Sequence, residues 1–384
     1  MVACPALGES LALASTPKGT VACRSNQPDA EELDVERDAM RRLLRDMLLA
    51  RAFEERAAQE YTKGNIVGFL HLYPGEEAVA AGVINAAGPA DYIVSNYREH
   101  AHALVRGTPA RVVMAELFGR SDGMSGGMGG SMHMFDAARR FMGGYAIVGQ
   151  TCPIALGIAY GIALRRLPEA VICFLGDGAV NQGTFHESLN MAALWRLPLL
   201  IVCENNHYAI GTEIHRHSAV PEIYKRLSAY DIPAEKIDGM DVLKVYEASR
   251  RALERVRAGG GPQFIECETY RYRGHSMSDP GTYRPTVELK AHEAWDPIST
   301  AVRELELRYP TPAEIAAAGP DNIGRLATHM METGHLAARD VDALKQEVGA
   351  LVEDAVAFAL KSSQPTMEQA WAHLNGARGN EVLI

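Results

Sequence analysis

Residues 174–183 read FLGDGAVNQG, an apolar run that ends in an acid held between two glycines. Gly and Asp form tight turns in any fold, so a plain turn accounts for the composition. A cation clamp at the carboxyl end of a strand accounts for it as well, and the flanking sequence separates the two. Residues 170–175 are a strand-like apolar run, 185–195 carry helical patterning, and 199–203 form a second apolar run that opens into Asn205-Asn206. Further on, residues 241–257 place Val242, Val245, Tyr246, Ser249, Leu253 and Val256 on one helical face, and a strand follows at 263–269. Continuous apolar strands alternating with helices specify an α/β fold with a mostly parallel sheet covered by helices on both faces. Ligands of such sheets bind beyond the carboxyl ends of the strands, where both GDG and Asn205-Asn206 fall. That placement favours the clamp.

The bulk properties are those of a globular chain: 384 residues, 47 % hydrophobic and 22 % charged. A formal net charge of -10 argues against a nucleic-acid partner, since phosphate backbones call for a basic face. No apolar run approaches the ~20 residues that cross a bilayer, so no membrane role is expected. Cys4, Cys23, Cys152, Cys173, Cys203 and Cys267 lack CxxC spacing, which argues against a zinc site or a disulfide framework and for a reducing, cytoplasmic setting. Residues 1–32, rich in Ala, Ser, Pro and Thr, read as a mobile tail; organellar targeting is the alternative reading of that tail, although it is poor in arginine.

Ordered structure is expected from residue 33. RDAMRRLLRDMLLARAFEERAAQEYTKG has apolar residues at helical spacing and stops at Gly64. Residues 76–87 read as a second helix, and 92–95 as a short strand opening into a helix near Arg98. SDGMSGGMGG, residues 121–130, reads on composition as a flexible linker; the rival reading is a loop whose bare backbone approaches a ligand. After about Pro285 the chain reads as helical, with Val341, Leu344, Val348, Leu351, Val352 and Ala355 in one stripe of a packing or oligomerisation helix. Three regions result: a tail at 1–32, an α/β domain at 33–295 and a helical C-terminal region at 296–384.

Asp177 offers a hard anionic oxygen and Asn206 a neutral amide oxygen, the donor type that Mg2+ prefers and that substrate phosphates and water complete. Gly176 and Gly178 keep side chains away from the place a diphosphate would occupy. Residues 176–212, GDGAVNQGTFHESLNMAALWRLPLLIVCENNHYAIGT, resemble the thiamine-diphosphate motif, which opens with GDG and closes with NN. More narrowly, the chain resembles the alpha subunit of the E1 component of 2-oxo acid dehydrogenase complexes. GFLHLYPGEEAV, SNYREHAHALVRG, GGSMHMF, GGYAIVG and YRYRGHSMSDPGTYR agree in the same order, from about Leu33 to Trp295. The last of them looks most like the pyruvate-specific members.

The resemblance implies a thiamine-diphosphate-binding fold and a set of roles. Asp177, the Asn206 side chain and the Tyr208 carbonyl would bind Mg2+, which grips the cofactor diphosphate. Arg98 and Arg271 would pair with phosphate oxygens, for which a guanidinium fork is suited. Gly176 belongs to the same motif, and Gly178 and Ala179 would hold the diphosphate through backbone groups. Tyr97, Ala146 and Val148 would meet the pyrimidine end, and Ile210 would prop the cofactor in its bent shape. His275 would reach the diphosphate and reaction centre, and His71 would line the substrate side, both suited to proton exchange. His71 taken alone reads as a structural histidine, and His100, His102 and His133 read as structural or interface residues. Ser276 lies in a loop that some relatives phosphorylate. Tyr145-Ala146 stands where relatives often have Asn-Gly, and the segment after Arg308 fits poorly.

The resemblance implies a glutamate on the pyrimidine side that promotes thiamine chemistry, and the sequence shows no clear second α/β half to supply it. The resemblance therefore implies an E1 beta subunit, an α2β2 heterotetramer, and acyl transfer from a small 2-oxo acid, pyruvate first, to a lipoyl group of the E2 acyltransferase. Acetoin cleavage, a branched-chain 2-oxo acid or transfer to another carrier protein are the alternatives within the class. Outside it stand a non-catalytic scaffold, disfavoured by the intact Asp177, Asn206, Arg98 and His275, and a nicotinamide-dependent dehydrogenase, disfavoured by the missing GxGxxG.

Overall fold

The computed structural model describes residues 37–286, 288–290 and 338–374. The expected N-terminal tail and the poorly fitting segment after Arg308 up to residue 337 lie outside the described residues. The chain opens with helices α1 (Arg37–Thr62) and α2 (Glu77–Ala86), then strand β1 (Tyr92–Asn96) and helices α3 (His100–Val105) and α4 (Ala110–Leu117). Strand β2 (Phe141–Tyr145), helix α5 (Thr151–Arg165), strand β3 (Val171–Gly176), helix α6 (Gly183–Leu194) and strand β4 (Leu199–Asn205) form the middle. A small hairpin, β5 (Tyr208–Ala209) and β6 (Thr212–Glu213), leads through the single turn α7 (Ile214–His217) to β7 (Ala234–Asp238), α8 (Val242–Arg255) and β8 (Gln263–Glu268). Helices α9 (Ala338–Lys361) and α10 (Met367–Leu374) follow.

Six strands make one parallel sheet in the order β2-β1-β3-β4-β8-β7. Alternate residues of the central strands enter opposite cores. Ile172 and Phe174 with Leu200 and Val202 meet the side built from α1, α2, α4, α8 and α9. Cys173 and Leu175 with Ile201 and Cys203 meet the side of α5 and α6. Burial on both faces is why these strands carry no polar alternation. After β1 the chain runs out to the edge at β2 and returns to β3 on the other side of β1, so a crevice opens between β1 and β3. Crevices at such a reversal of strand order are where open α/β sheets bind ligands. No helix among the described residues is long and apolar enough to cross a membrane.

Local signals explain the helix limits. Asp241 caps α8 by accepting from the Leu243 and Lys244 N–H groups at 3.0 and 3.3 Å, and Gly259 at φ 76 turns the chain out at the far end. Of its expected face, Tyr246 is half-buried and the rest are buried. Helix α9 packs on α1 and α4, with Arg45–Glu347 and Arg111–Asp354 pairs at 2.8 Å along the seam. Its stripe is buried except Leu351, which is exposed.

The glycine-rich run 121–130 answers to neither expectation. The buried Glu116 carboxylate, at the end of α4, accepts from the Ser125 and Gly127 N–H groups through Oε2, at 2.7 and 2.9 Å. Through Oε1 it accepts from Gly129 and Gly130 at 2.7 and 3.1 Å. The bare backbone wraps an internal anion, neither a ligand nor a slack tether.

A second carboxylate on this layer works against the fold. Burial raises the Asp46 carboxyl to about 6, although Asn85 donates to it at 2.8 Å. A raised folded-state value means that stability is highest while the acid is protonated and falls as pH rises from about 4 to about 6. Asp46→Asn should therefore stabilise the protein at pH 8 by up to about 3 kcal/mol and change nothing at pH 3.5. Urea melts of both proteins at the two pH values check this, and equal midpoints at pH 8 refute it.

Candidate functional site

A cavity of about 260 Å³ lies at the carboxyl ends of β1, β3 and β4. Gly176 closes β3 in register with Glu204 of β4 and Asp177 follows it, so Asp177 and Asn206 emerge from adjacent strand ends onto one wall. Both are buried. Asp177 Oδ2 has His217 Nε2 at 3.2 Å. Asn206 accepts from the Tyr208 N–H at 3.3 Å through Oδ1, an Asx-type turn. Its Nδ2 donates to Glu76 Oε1 at 2.7 Å.

Gly176 opens on empty space, whereas a Cβ on Gly178 would lie 2.6 Å from the Ala209 Cβ. Gly176 is the glycine that leaves room for a ligand. Gly178 lets the β5 hairpin seat against the strand end.

Two guanidinium groups complete the polar wall. Arg98 donates to the carbonyls of Leu72 and, at 3.0 Å, His275; its Nε lies 3.7 Å from Glu76 Oε2. Arg271 is spent on neutral oxygens, the Arg273 and Ile210 carbonyls and the Tyr283 hydroxyl, at 3.1, 3.2 and 3.0 Å. Arg271, a buried guanidinium bonded here to neutral oxygens, fits an anion supplied from outside.

Tyr97, Val148, Ala179, Tyr208 and Ile210 line the cavity with Ile147, while Ala146 lies between two lining residues and is not itself in the wall. Ile210 holds φ 55 and is 61 % exposed. A β-branched residue in the left-handed region is strained, and such strain persists where the surroundings impose it and marks functional positions. Here the Arg271 bond to the Ile210 carbonyl helps hold the strained turn.

His71 and His275 stand just behind this wall. The His71 ring lies 4.7 Å from Tyr97 and 5.0 Å from His275, and Tyr97 and His275 are 5.5 Å apart between centroids. Burial pushes His71 down to about 2 and His275 down to about 4, with the Arg98 charge the next cause for each. Both imidazoles are neutral at physiological pH, and each Nδ1 is buried without a hydrogen-bond partner. An unpartnered nitrogen on a neutral ring can take part in a hydrogen bond with a ligand.

His100 and His102 serve the scaffold. His100 joins Glu54, at 3.1 Å, to the Ser131 hydroxyl, at 2.9 Å. His102 pairs at 3.1 Å with Glu204, which also accepts from Tyr73 and Asn96. Burial acts to raise the Glu204 carboxyl, but these partners hold it below its ordinary range. Ser276 is buried, its hydroxyl 2.9 Å from that of Ser278. A larger cleft of about 610 Å³ lies beside the 272–289 segment. Its lining carboxylate, Asp279, is already bonded to the His275 and Gly281 N–H groups and the Tyr283 hydroxyl.

Sequence reading did not single out Glu76 and His217. Glu76 stands in a quoted motif, yet its contact with Asn206 spans 130 residues and leaves no local signal. His217 reaches Asp177 across 40 residues.

Comparison with known proteins places the chain in a class. The model of the "Dehydrogenase E1 component" family matches residues 45–308, and the chain belongs to that family. It is 41 % identical over 339 residues to the pyruvate dehydrogenase E1 component subunit alpha of Porphyra purpurea, covering 86 % of this chain and 91 % of that one. The protein of the same description from Rickettsia bellii is 38 % identical over 330 residues, 86 % of this chain and 94 % of the relative. That from Rhizobium meliloti is 47 % identical over 262 residues, 68 % and 75 % of the two chains.

Proposed function

We propose that the chain is the alpha subunit of a thiamine-diphosphate-dependent E1 enzyme that decarboxylates a 2-oxo acid, pyruvate first, and passes the acyl group to a lipoyl group of an E2 acyltransferase. The observation that carries the reading is the meeting of Asp177, Asn206, Arg98 and Arg271 in one cavity at the strand-order reversal. The donor set fits the cofactor: a carboxylate and a carboxamide oxygen with the Tyr208 carbonyl suit Mg2+, whose remaining positions phosphate and water fill. Among the described residues no group of three or more His, Cys, Asp or Glu could hold a metal, consistent with an ion held jointly by protein and cofactor.

Bound there, thiamine diphosphate supplies the electron-sink chemistry that decarboxylation of a 2-oxo acid needs. This chain's part is to hold and orient. Arg98 and Arg271 neutralise the diphosphate, aided by the backbone at Gly178 and Ala179. Tyr97, Val148 and Ile210, with the backbone at Ala146, would hold the apolar part of the cofactor. His71 and His275, held neutral by burial at about 2 and about 4, are too weakly basic for the expected proton exchange near neutral pH and would serve the substrate side as hydrogen-bonding groups.

Two features support a second chain. The cavity is below the ~300 Å³ at which ordinary ligand pockets begin, and its mouth is rimmed by the exposed Ile147, Val148 and Ile210. Helices α5 and α6 also present Tyr160, Leu164, Leu194 and Trp195 to solvent, an apolar face of the kind that protein partners cover. Both fit an α2β2 heterotetramer with cofactor sites completed by an E1 beta subunit. The test is co-expression with a beta-type chain and assay on pyruvate, 2-oxoisovalerate and acetoin. Turnover of pyruvate by the assembly, and none by the isolated chain, is expected. Decarboxylation by the isolated chain overturns the shared site, and preference for another substrate overturns pyruvate.

A further inference from the structure

Two residues given to the metal and to the diphosphate meet at one side chain, Glu76. Gly75, at φ 104, makes the turn before α2 in a space where a Cβ would lie 2.1 Å from the Tyr270 carbonyl oxygen. That turn sets Glu76 at the N-terminal cap of α2, yet its side chain makes no capping bond. It turns into the cavity wall instead, fully buried. Oε1 accepts from Asn206 Nδ2 at 2.7 Å. Oε2 has no hydrogen-bond partner and lies 3.7 Å from Arg98 Nε.

We infer that Glu76 is a positioning residue that selects which end of the Asn206 carboxamide faces the cation. Burial raises Glu76 to about 7 against the pull of the Arg98 charge beside Oε2. Above that value it is a carboxylate, which only accepts, so it engages the amide NH2 and leaves Oδ1 for the metal. The reverse orientation would set two acceptor oxygens at hydrogen-bond distance, in a buried place where repulsion is poorly screened. It would also offer the NH2 group to a cation. The second oxygen, beside Arg98, ties the same carboxylate to the anion-binding side of the wall. Partners of this kind orient metal ligands, and their removal weakens metal affinity by about 10- to 100-fold.

The inference rests on the function proposed above, and the test separates the two. The probe is Mn2+, which takes the same oxygen donors as Mg2+ and gives an electron paramagnetic resonance signal when free. It is titrated into the cofactor-free heterotetramer with saturating thiamine diphosphate. Glu76→Ser removes the contact with Asn206 while providing a good cap for α2. It should raise the Mn2+ dissociation constant by about 10- to 100-fold. Glu76→Gln can turn its NH2 toward Asn206 and its oxygen toward Arg98, so it no longer dictates the carboxamide orientation and should lie between wild type and the serine variant. If the serine variant does not assemble, Glu76→Leu carries the same expectation as the serine change. A serine or leucine variant as tight as wild type overturns the role of Glu76. Wild-type protein that takes up neither Mn2+ nor thiamine diphosphate overturns the reading of the site, and this inference with it.

Discussion

Replacing Asp177 with alanine is expected to abolish Mg2+-dependent binding of thiamine diphosphate while leaving the fold intact. The carboxylate is 2 % exposed, ends a strand buried on both faces, and has His217 as its hydrogen-bonding partner at 3.2 Å. Little of the fold hangs on that bond. The affinity hangs on the charge, because Asn206 and the Tyr208 carbonyl offer a divalent ion no anionic oxygen. A loss of at least 100-fold, about 2.7 kcal/mol, is the expected scale. Thermal shift reads it directly: wild-type assembly at a cofactor concentration 100 times its dissociation constant gains about 2.7 kcal/mol of stability. The Asp177→Ala assembly should melt like the cofactor-free wild type whether or not Mg2+ and cofactor are added. Asp177→Asn, equal in size but uncharged, should behave the same way. A variant that keeps the full cofactor-induced shift refutes the clamp.

The meeting of Asp177 and Asn206 on one cavity wall was legible in the sequence because both sit where local patterning changes. An apolar run ends in GDG at β3, another ends in Asn205-Asn206 at β4, and one helix crosses between them. The sheet type followed from the same central strands. The edge strands did not announce themselves. β2 reads FMGGY, with two glycines, and β7 reads AEKID, half-exposed along its length, so neither carries the apolar continuity of a buried strand. Helix α5 hides for another reason. Its sequence TCPIALGIAYGIALR is apolar on nearly all sides and contains Pro153, tolerated because it falls in the first turn. The polar partners were out of reach altogether. Glu76 to Asn206 and His217 to Asp177 are tertiary contacts, and no period or motif encodes which distant side chain meets a strand end.

The glycine-rich run shows the same limit from the other side, and it yields the prediction with the largest effect on stability. Glu116→Gln is expected to destabilise the protein by about 2 to 6 kcal/mol, although it changes one oxygen to a nitrogen. Each carboxylate oxygen accepts two of the four backbone N–H groups from Ser125, Gly127, Gly129 and Gly130. A carboxamide turns one of those acceptors into a donor pointing at two donors, and each unpaired buried N–H costs about 1–3 kcal/mol. Amide exchange at those four residues should accelerate, and proteases should begin to cut between 121 and 130. The damage should also travel. The run leads into Ser131, whose hydroxyl accepts from the His71 N–H at 3.3 Å and meets His100 Nε2 at 2.9 Å. His71 in turn packs on Tyr97, in the wall of the cavity. Turnover by the Glu116→Gln assembly should therefore fall at temperatures where it is still folded. A variant that melts with wild type and exchanges those amides no faster would show that the loop holds its shape without the anion inside it.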